Sequence, residues 1–164
     1  MPILNPNTLE FVSRSPEQTR RLGMRLGALM QSGDIICLAG DLGSGKTTLV
    51  QGIARGWGSL DPVSSPTFVL VNVYQRPDSK HLHHMDAYRL ANAVEAEDLD
   101  LDPMLENGAL VIEWADRIKA ALPCDHLWIE MRWNADEQRG MVFLPHGARH
   151  ENLLAAFRRR SFGG

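Results

Sequence analysis

Residues 40–47 read Gly40-Asp41-Leu42-Gly43-Ser44-Gly45-Lys46-Thr47, and no other stretch constrains the fold as tightly. They fill every required position of G-x-x-x-x-G-K-[ST], the phosphate-binding loop that joins a buried strand to a helix N-terminus. Glycines let successive backbone N–H groups close around phosphate oxygens with no Cβ in the way. Lys46 supplies a mobile positive charge for β- and γ-phosphates, and the Thr47 hydroxyl can ligate Mg²⁺. A helix beginning at about Lys46 aims its positive end at the same anion. The flanks agree with this. Asp34 to Ala39 is a short apolar run suited to a buried strand, and Thr48 to Arg55 has the pattern of a helix. A Gly-rich turn that binds nothing has no need of that setting, so the loop predicts a nucleoside triphosphate site.

The chain of 164 residues is long enough for one domain with a proper core, spanning 1–164. Its 44% hydrophobic and 23% charged residues are those of a soluble globular protein. A formal charge of −3 argues against a whole-surface nucleic-acid binder while leaving room for a local basic patch. The first residues show no basic stretch followed by an apolar core, and no apolar run approaches the roughly 18 residues of a membrane span. The expectation is a cytoplasmic protein in which Cys37 and Cys124 are buried free thiols.

Leu9 to Val12 suits a short first strand, and Ser15-Pro16-Glu17 opens a helix whose apolar face is Leu22, Leu26, Leu29 and Met30. Gly33 is the expected stop. The helix after the glycine loop ends in Gly56-Trp57-Gly58, and Asp61 to Pro66 is a loop by composition. Thr67 to Tyr74 predicts a strand, Arg76 to Ser79 a turn, and Lys80 to Met85 the returning arm of a hairpin. The acidic segment from about Asn92 to Asn107 predicts short helices broken at Asp102-Pro103. Gly108 to Ile112 is a second wholly apolar run that suits a central strand, followed by a helix from Trp114 to Leu122 that Pro123 ends. Asp125 to Trp133 alternates, with Leu127, Ile129 and Met131 on one face and Trp128, Glu130 and Arg132 on the other. Met141 to Leu144 is its partner across the Ala135-Asp136-Glu137 turn, and a last helix, Glu151 to about Arg160, turns Leu153, Leu154 and Phe157 inward. The fold expected is α/β: a P-loop NTPase-like three-layer sandwich with a mixed, partly parallel central sheet and added antiparallel strands.

A phosphate loop of this kind needs a carboxylate at the end of a neighbouring strand to hold Mg²⁺ or activate water. Glu113, ending the apolar strand, and Asp86, following the polar run Lys80 to Met85, both qualify; a solvated strand-end acid is the alternative for each. Among the nearby histidines, alternation puts His81 and His83 on one face and His84 on the other, so a polar strand face accounts for them better than a zinc site. Trp114 either closes over the site or packs into the core. Arg158-Arg159-Arg160 stands where a helix C-terminus favours cations, with a tRNA contact as the lesser reading. The chain has no N-K-x-D or D-x-x-G sequence, which disfavours a GTPase and makes ATP the default nucleotide. A small-molecule kinase and a non-hydrolytic ATP-dependent switch are the alternatives to an ATPase, and no arginine-rich lid is evident for the kinase.

Four stretches together resemble one family, the bacterial TsaE (YjeE) P-loop ATPases of tRNA threonylcarbamoyladenosine biosynthesis. Gly40 to Thr48, with its unusual Asp-Leu-Gly, looks like that family's loop. Val63-Ser64-Ser65-Pro66-Thr67-Phe68 matches its Ser-Pro-Thr-aromatic segment, His84-Met85-Asp86-Ala87-Tyr88-Arg89 its His-aromatic-Asp-x-Tyr-Arg motif, and Glu113-Trp114 its Glu-Trp pair. Order and spacing agree from about Glu17 to Arg139. The departures are Ser44 where alanine is common, Met85 in place of an aromatic, and an aspartate within Asp98-Leu99-Asp100-Leu101 where the family tends to have glycine. The resemblance implies a nucleotide site of Thr19, Asp41, Gly43, Ser44, Gly45, Lys46, Thr47 and Thr48. It also implies Mg²⁺ on Thr47 and Glu113, with Asp86 in hydrolysis or metal binding and Thr67 as a catalytic switch residue sensing the γ-phosphate. A weak ATPase is implied, working with the TsaB–TsaD heterodimer on adenosine 37 of ANN-decoding tRNAs, with tRNA reached through that complex.

Overall fold

The computed structural model describes residues 7–41, 43–63, 71–89 and 100–162. Among the described residues there are seven strands: β1 (Leu9–Ser13), β2 (Ile35–Gly40), β3 (Val71–Gln75), β4 (His81–Asp86), β5 (Gly108–Glu113), β6 (His126–Ala135) and β7 (Gln138–His146). The α-helices among the described residues are α1 (Pro16–Leu29), α2 (Lys46–Trp57), α3 (Asp102–Glu106) and α4 (Ala148–Phe162). The strands form one sheet in the order β1-β7-β6-β2-β5-β4-β3. Its centre is parallel, β4 with β5, β5 with β2, and β2 with β6; β3, β7 and β1 extend it antiparallel at the two sides. This is the mixed α/β sheet the two apolar runs and the two hairpins predict.

The central strands are apolar throughout because both of their faces are covered. Every residue of β5 and all but the last of β2 are buried. On one face, α1, α2 and α4 pack Leu22, Leu26, Leu49, Ile53 and Phe157 against Ile36, Leu38, Val111, Ile129 and Phe143. On the other, Ala115 and Ile118 close over Ile35, Cys37, Leu110, Ile112 and Trp128. Burial of Trp128 departs from the alternation read in the sequence. The strand is two-sided at that end, where Lys119 lies over the indole, so only its far half is exposed.

Close packing of α1 on α2 fixes where the phosphate loop sits. A Cβ at Gly27 would overlap the carbonyl oxygen of Ile53, one at Gly52 that of Arg20, and one at Gly56 that of Met24; at Gly23 it would lie 2.5 Å from the Leu49 oxygen. The two helices therefore meet backbone to backbone. At the opposite end of the sheet His150 of α4 accepts the Ile35 N–H at 3.0 Å and bonds Asp125 through its other nitrogen. Arg158 is committed to the Thr8 carbonyl at 2.7 Å.

Several features differ from expectation, among them β7 beginning at Gln138 and α4 at Ala148, each three residues early. α1 stops at Leu29, with the Met30 N–H returning to Leu26 and Gly27, and Gly33 instead turns the chain into β2. Asp102-Pro103 opens α3 where a break was expected, since proline suits a first turn that needs no N–H donor. The helix expected from Trp114 to Leu122 is 3₁₀ in character and covers Ala115–Ala121. Ile118 has a non-helical backbone (φ −126°, ψ 23°), so the segment is two short turns joined at a kink, and it buries Ala115 and Ile118. Residues 64–70 and 90–99, with the first part of the expected hairpin strand and the first half of the acidic segment, lie outside the described residues. Cys37 is buried as expected, whereas Cys124 is exposed. No helix among the described residues is long and apolar enough to cross a membrane.

Candidate functional site

The glycine loop lies at the C-terminal edge of the parallel strands, where open α/β sheets place ligands. β2 ends at Gly40, whose φ is +136°, and a Cβ there would overlap the Met131 carbonyl. Gly45 caps α2 in the left-handed region (φ +96°), and no side chain bonds the helix's first N–H groups. Those donors face the loop and suit an anion.

Lys46 starts α2, and its ammonium donates to the Gly40 carbonyl (2.8 Å), the Asp41 carbonyl (2.7 Å) and the Ser44 hydroxyl (3.2 Å). Burial lowers its pKa, an effect opposed by the charges of Glu113, Asp116, Asp41 and Asp86. Trp114 covers it, with the ring centre 3.9 Å from the ammonium. Tyr88 packs tilted against Trp114 with ring centres 5.0 Å apart, and Arg117 lies over Tyr88 at 4.7 Å, so the two rings sit between two cations. Trp114 holds a left-handed backbone (φ +58°) and also packs against the second core cluster. Both roles read for it in the sequence are therefore met.

The Thr47 hydroxyl donates to Glu113 Oε1 at 3.1 Å, joining the start of α2 to the end of β5. Two oxygens side by side, one of them a carboxylate, form a donor set that suits a hard cation such as Mg²⁺. Asp86 stands next to Glu113 in parallel register at the end of β4, and its Oδ1 accepts the Tyr88 N–H at 2.9 Å. A cleft of about 300 Å³ is lined by Gly43 to Thr48, Glu113, Trp114 and Arg139. A recess of about 40 Å³, bordered by Thr19, Gly45, Thr48 and Arg139, adjoins it. Thr19 is buried and shares a 2.6 Å hydrogen bond with Ser13. Asp41 contributes its carbonyl to Lys46, while the residue is exposed and does not line the cleft. Thr67 lies outside the described residues.

Two participants escaped the sequence reading. Arg139, just past the β6–β7 turn, donates to the Gly43 carbonyl at 2.9 Å and to the carbonyls of Asp136 and Gln138. Its approach to the loop follows from β6 lying beside β2, which no local pattern states. His84 is the other. It is fully buried, bonds Glu113 Oε2 at 2.5 Å through Nε2 and Tyr74 Oη at 2.9 Å through Nδ1. The alternation that set it apart from His81 and His83 was the available signal.

The family model for the threonylcarbamoyl adenosine biosynthesis protein TsaE matches residues 13–141. That span takes in every site element above. The chain belongs to the TsaE family. It is 37% identical over 146 residues to the tRNA threonylcarbamoyladenosine biosynthesis protein TsaE of Bacillus subtilis, covering 88% of this chain and 90% of that protein. Its identity to the protein of the same name from Treponema pallidum is 39%, over 80% of this chain and 96% of the relative. The crystal structure of Bacillus subtilis YdiB superposes with a TM-score of 0.77 at 32% identity, covering 93% of this chain and 95% of that one. Membership of the TsaE family places the chain in threonylcarbamoyladenosine biosynthesis, and with it in tRNA processing.

Proposed function

We propose that this protein is a single-domain, cytoplasmic ATP-binding subunit that hydrolyses ATP slowly with Mg²⁺. It works with the TsaB–TsaD heterodimer in forming N6-threonylcarbamoyladenosine at position 37 of ANN-decoding tRNAs, and reaches tRNA through that complex. One observation carries the ATPase reading: Lys46, Thr47 and Glu113 meet beneath the uncapped N-terminus of α2. Lys46 and the backbone N–H groups of Gly43, Ser44 and Gly45 hold the phosphates. Thr19 and Thr48 border the recess that takes a further part of the nucleotide. Thr47 and Glu113 hold Mg²⁺, Asp86 orients water or the metal's hydration shell, and Thr67 senses the γ-phosphate. Bound Mg²⁺ would neutralise charge developing on the β- and γ-oxygens. The absence of a guanine-reading N-K-x-D sequence supports ATP as the nucleotide.

The test combines the purified chain with TsaB and TsaD. ATP and Mg²⁺ should drive association, followed by size-exclusion chromatography, and should support modification of a tRNA that decodes ANN codons. Lack of association under those conditions would sink the partnership. Glu113→Ala and Asp86→Ala should each abolish turnover. If tRNA modification survived both, ATP binding alone would be the function.

A further inference from the structure

The carboxylate of Glu113 is held from behind. Glu113 ends β5, and His84 lies on the neighbouring parallel strand β4, two residues before Asp86, on the face that carries Leu82 and Val111. Tyr74 comes from β3, the outermost strand on that side, and is buried on the same face. Hydrogen bonds run in series from Tyr74 Oη to His84 Nδ1, from His84 Nε2 to Glu113 Oε2, and from Glu113 Oε1 to the Thr47 hydroxyl.

Chemistry gives this chain a direction. A carboxylate has only acceptors, so His84 Nε2 carries the proton toward Glu113. In the neutral ring Nδ1 is then the acceptor, and the Tyr74 O–H donates to it. Each link fixes the next. The tyrosine sets the tautomer, the imidazole anchors one carboxylate oxygen, and the other oxygen is left beside Thr47. A buried imidazole is costly unless its nitrogens are bonded, and here both are.

We infer that His84, oriented by Tyr74, is a positioning residue that presents Glu113 Oε1 together with Thr47 to the nucleotide-bound Mg²⁺. This rests on the magnesium reading above. His84 touches neither nucleotide nor metal; it prevents the carboxylate from swinging away, as partners behind metal-ligating side chains do.

The experiment is calorimetric titration of ADP into the full chain, once with Mg²⁺ and once with EDTA. The readout is the tightening that Mg²⁺ adds. His84→Ala should lose roughly tenfold of that tightening while its affinity in EDTA stays within about twofold of the parent. His84→Gln, which can restore an N–H donor toward Glu113, should recover most of the loss. Tyr74→Phe should show a smaller loss in the same direction and carries the test if His84→Ala fails to fold. An undiminished Mg²⁺ effect in His84→Ala, or in Tyr74→Phe where that variant stands in, overturns the inference. So does an equal loss with and without Mg²⁺, which marks a purely structural role. If the parent shows no Mg²⁺ effect, the magnesium reading itself fails, and the inference with it.

Discussion

Lys46 turns its ammonium onto two carbonyls of its own loop, and Trp114 lies over it with the ring centre 3.9 Å away. To engage β- and γ-phosphates the ammonium must exchange at least one of these partners, and the indole is the bulkiest of them. A cation over a ring is worth about 0.5–2 kcal/mol, so a phosphate can outcompete it. Trp114 emission should therefore change when ATP and Mg²⁺ are added. Of the four tryptophans only this one borders the cleft, so Trp114→Phe should remove most of the change in a fluorescence titration. A full signal in the variant would place the reporter elsewhere.

Gly27→Ala and Gly52→Ala set two effects against each other. In an exposed helix interior, alanine gains about 1 kcal/mol over glycine. Here each new Cβ meets a backbone carbonyl of the facing helix, which cannot rotate aside. Forced separation of packed elements costs about 1–3 kcal/mol, so packing wins and both variants should unfold at lower urea. A gain in stability would show that α1 and α2 can slide apart freely.

Legibility followed sequence distance. The glycine loop, the capped start of α1 at Ser15, the two apolar central strands and both hairpins are set by nearby residues, and all are where local pattern puts them. Glu113 and Asp86 were legible because each ends a strand. The backbone contact between Gly27 and Ile53, the hook of Arg139 over Gly43 and the Tyr74–His84–Glu113 relay were not. Each joins separate elements, and depends on which strand lies beside which.

Arg139 ties the β6–β7 hairpin to the loop through Gly43. A hydrogen bond from a charged group contributes about 1.5–3 kcal/mol. Arg139→Ala should weaken ATP binding about tenfold in a calorimetric titration and speed amide exchange across residues 43–45. Unchanged exchange in the loop would mean that the hairpin does not hold it.

Burial raises the pKa of Asp34, against the opposing hydrogen bond from Gln31 and the charges of His150 and Arg149. A carboxyl raised on folding contributes stability below its unfolded pKa and loses it as pH rises through the folded value. At neutral pH the ionised form is therefore a net cost. Asp34→Asn keeps an acceptor for the Gln31 N–H, 2.7 Å away, and removes the charge. Its melting temperature should exceed the parent's at pH about 7, and the difference should shrink toward pH about 4 as the parent's carboxyl protonates. A difference that grows on acidification would reverse the assignment.

Asp86 and Glu113 stand side by side in register, yet their bonds differ. Glu113 shares one oxygen with Thr47, which lines the cleft, and the other with His84, which is buried behind it. Asp86 accepts a backbone N–H from Tyr88 and does not line the cleft. On the proposed reading Glu113 holds the cation, while Asp86 is oriented by the turn that follows it. Glu113→Gln should weaken Mg²⁺-dependent ADP binding by roughly tenfold or more, together with turnover. Asp86→Asn should leave ADP binding within about threefold and lower single-turnover hydrolysis by about 10²-fold, the scale of a lost proton acceptor. Calorimetry and a rapid-quench assay on both variants separate the roles. If Asp86→Asn lost Mg²⁺-dependent binding while Glu113→Gln kept it, the two assignments would be exchanged.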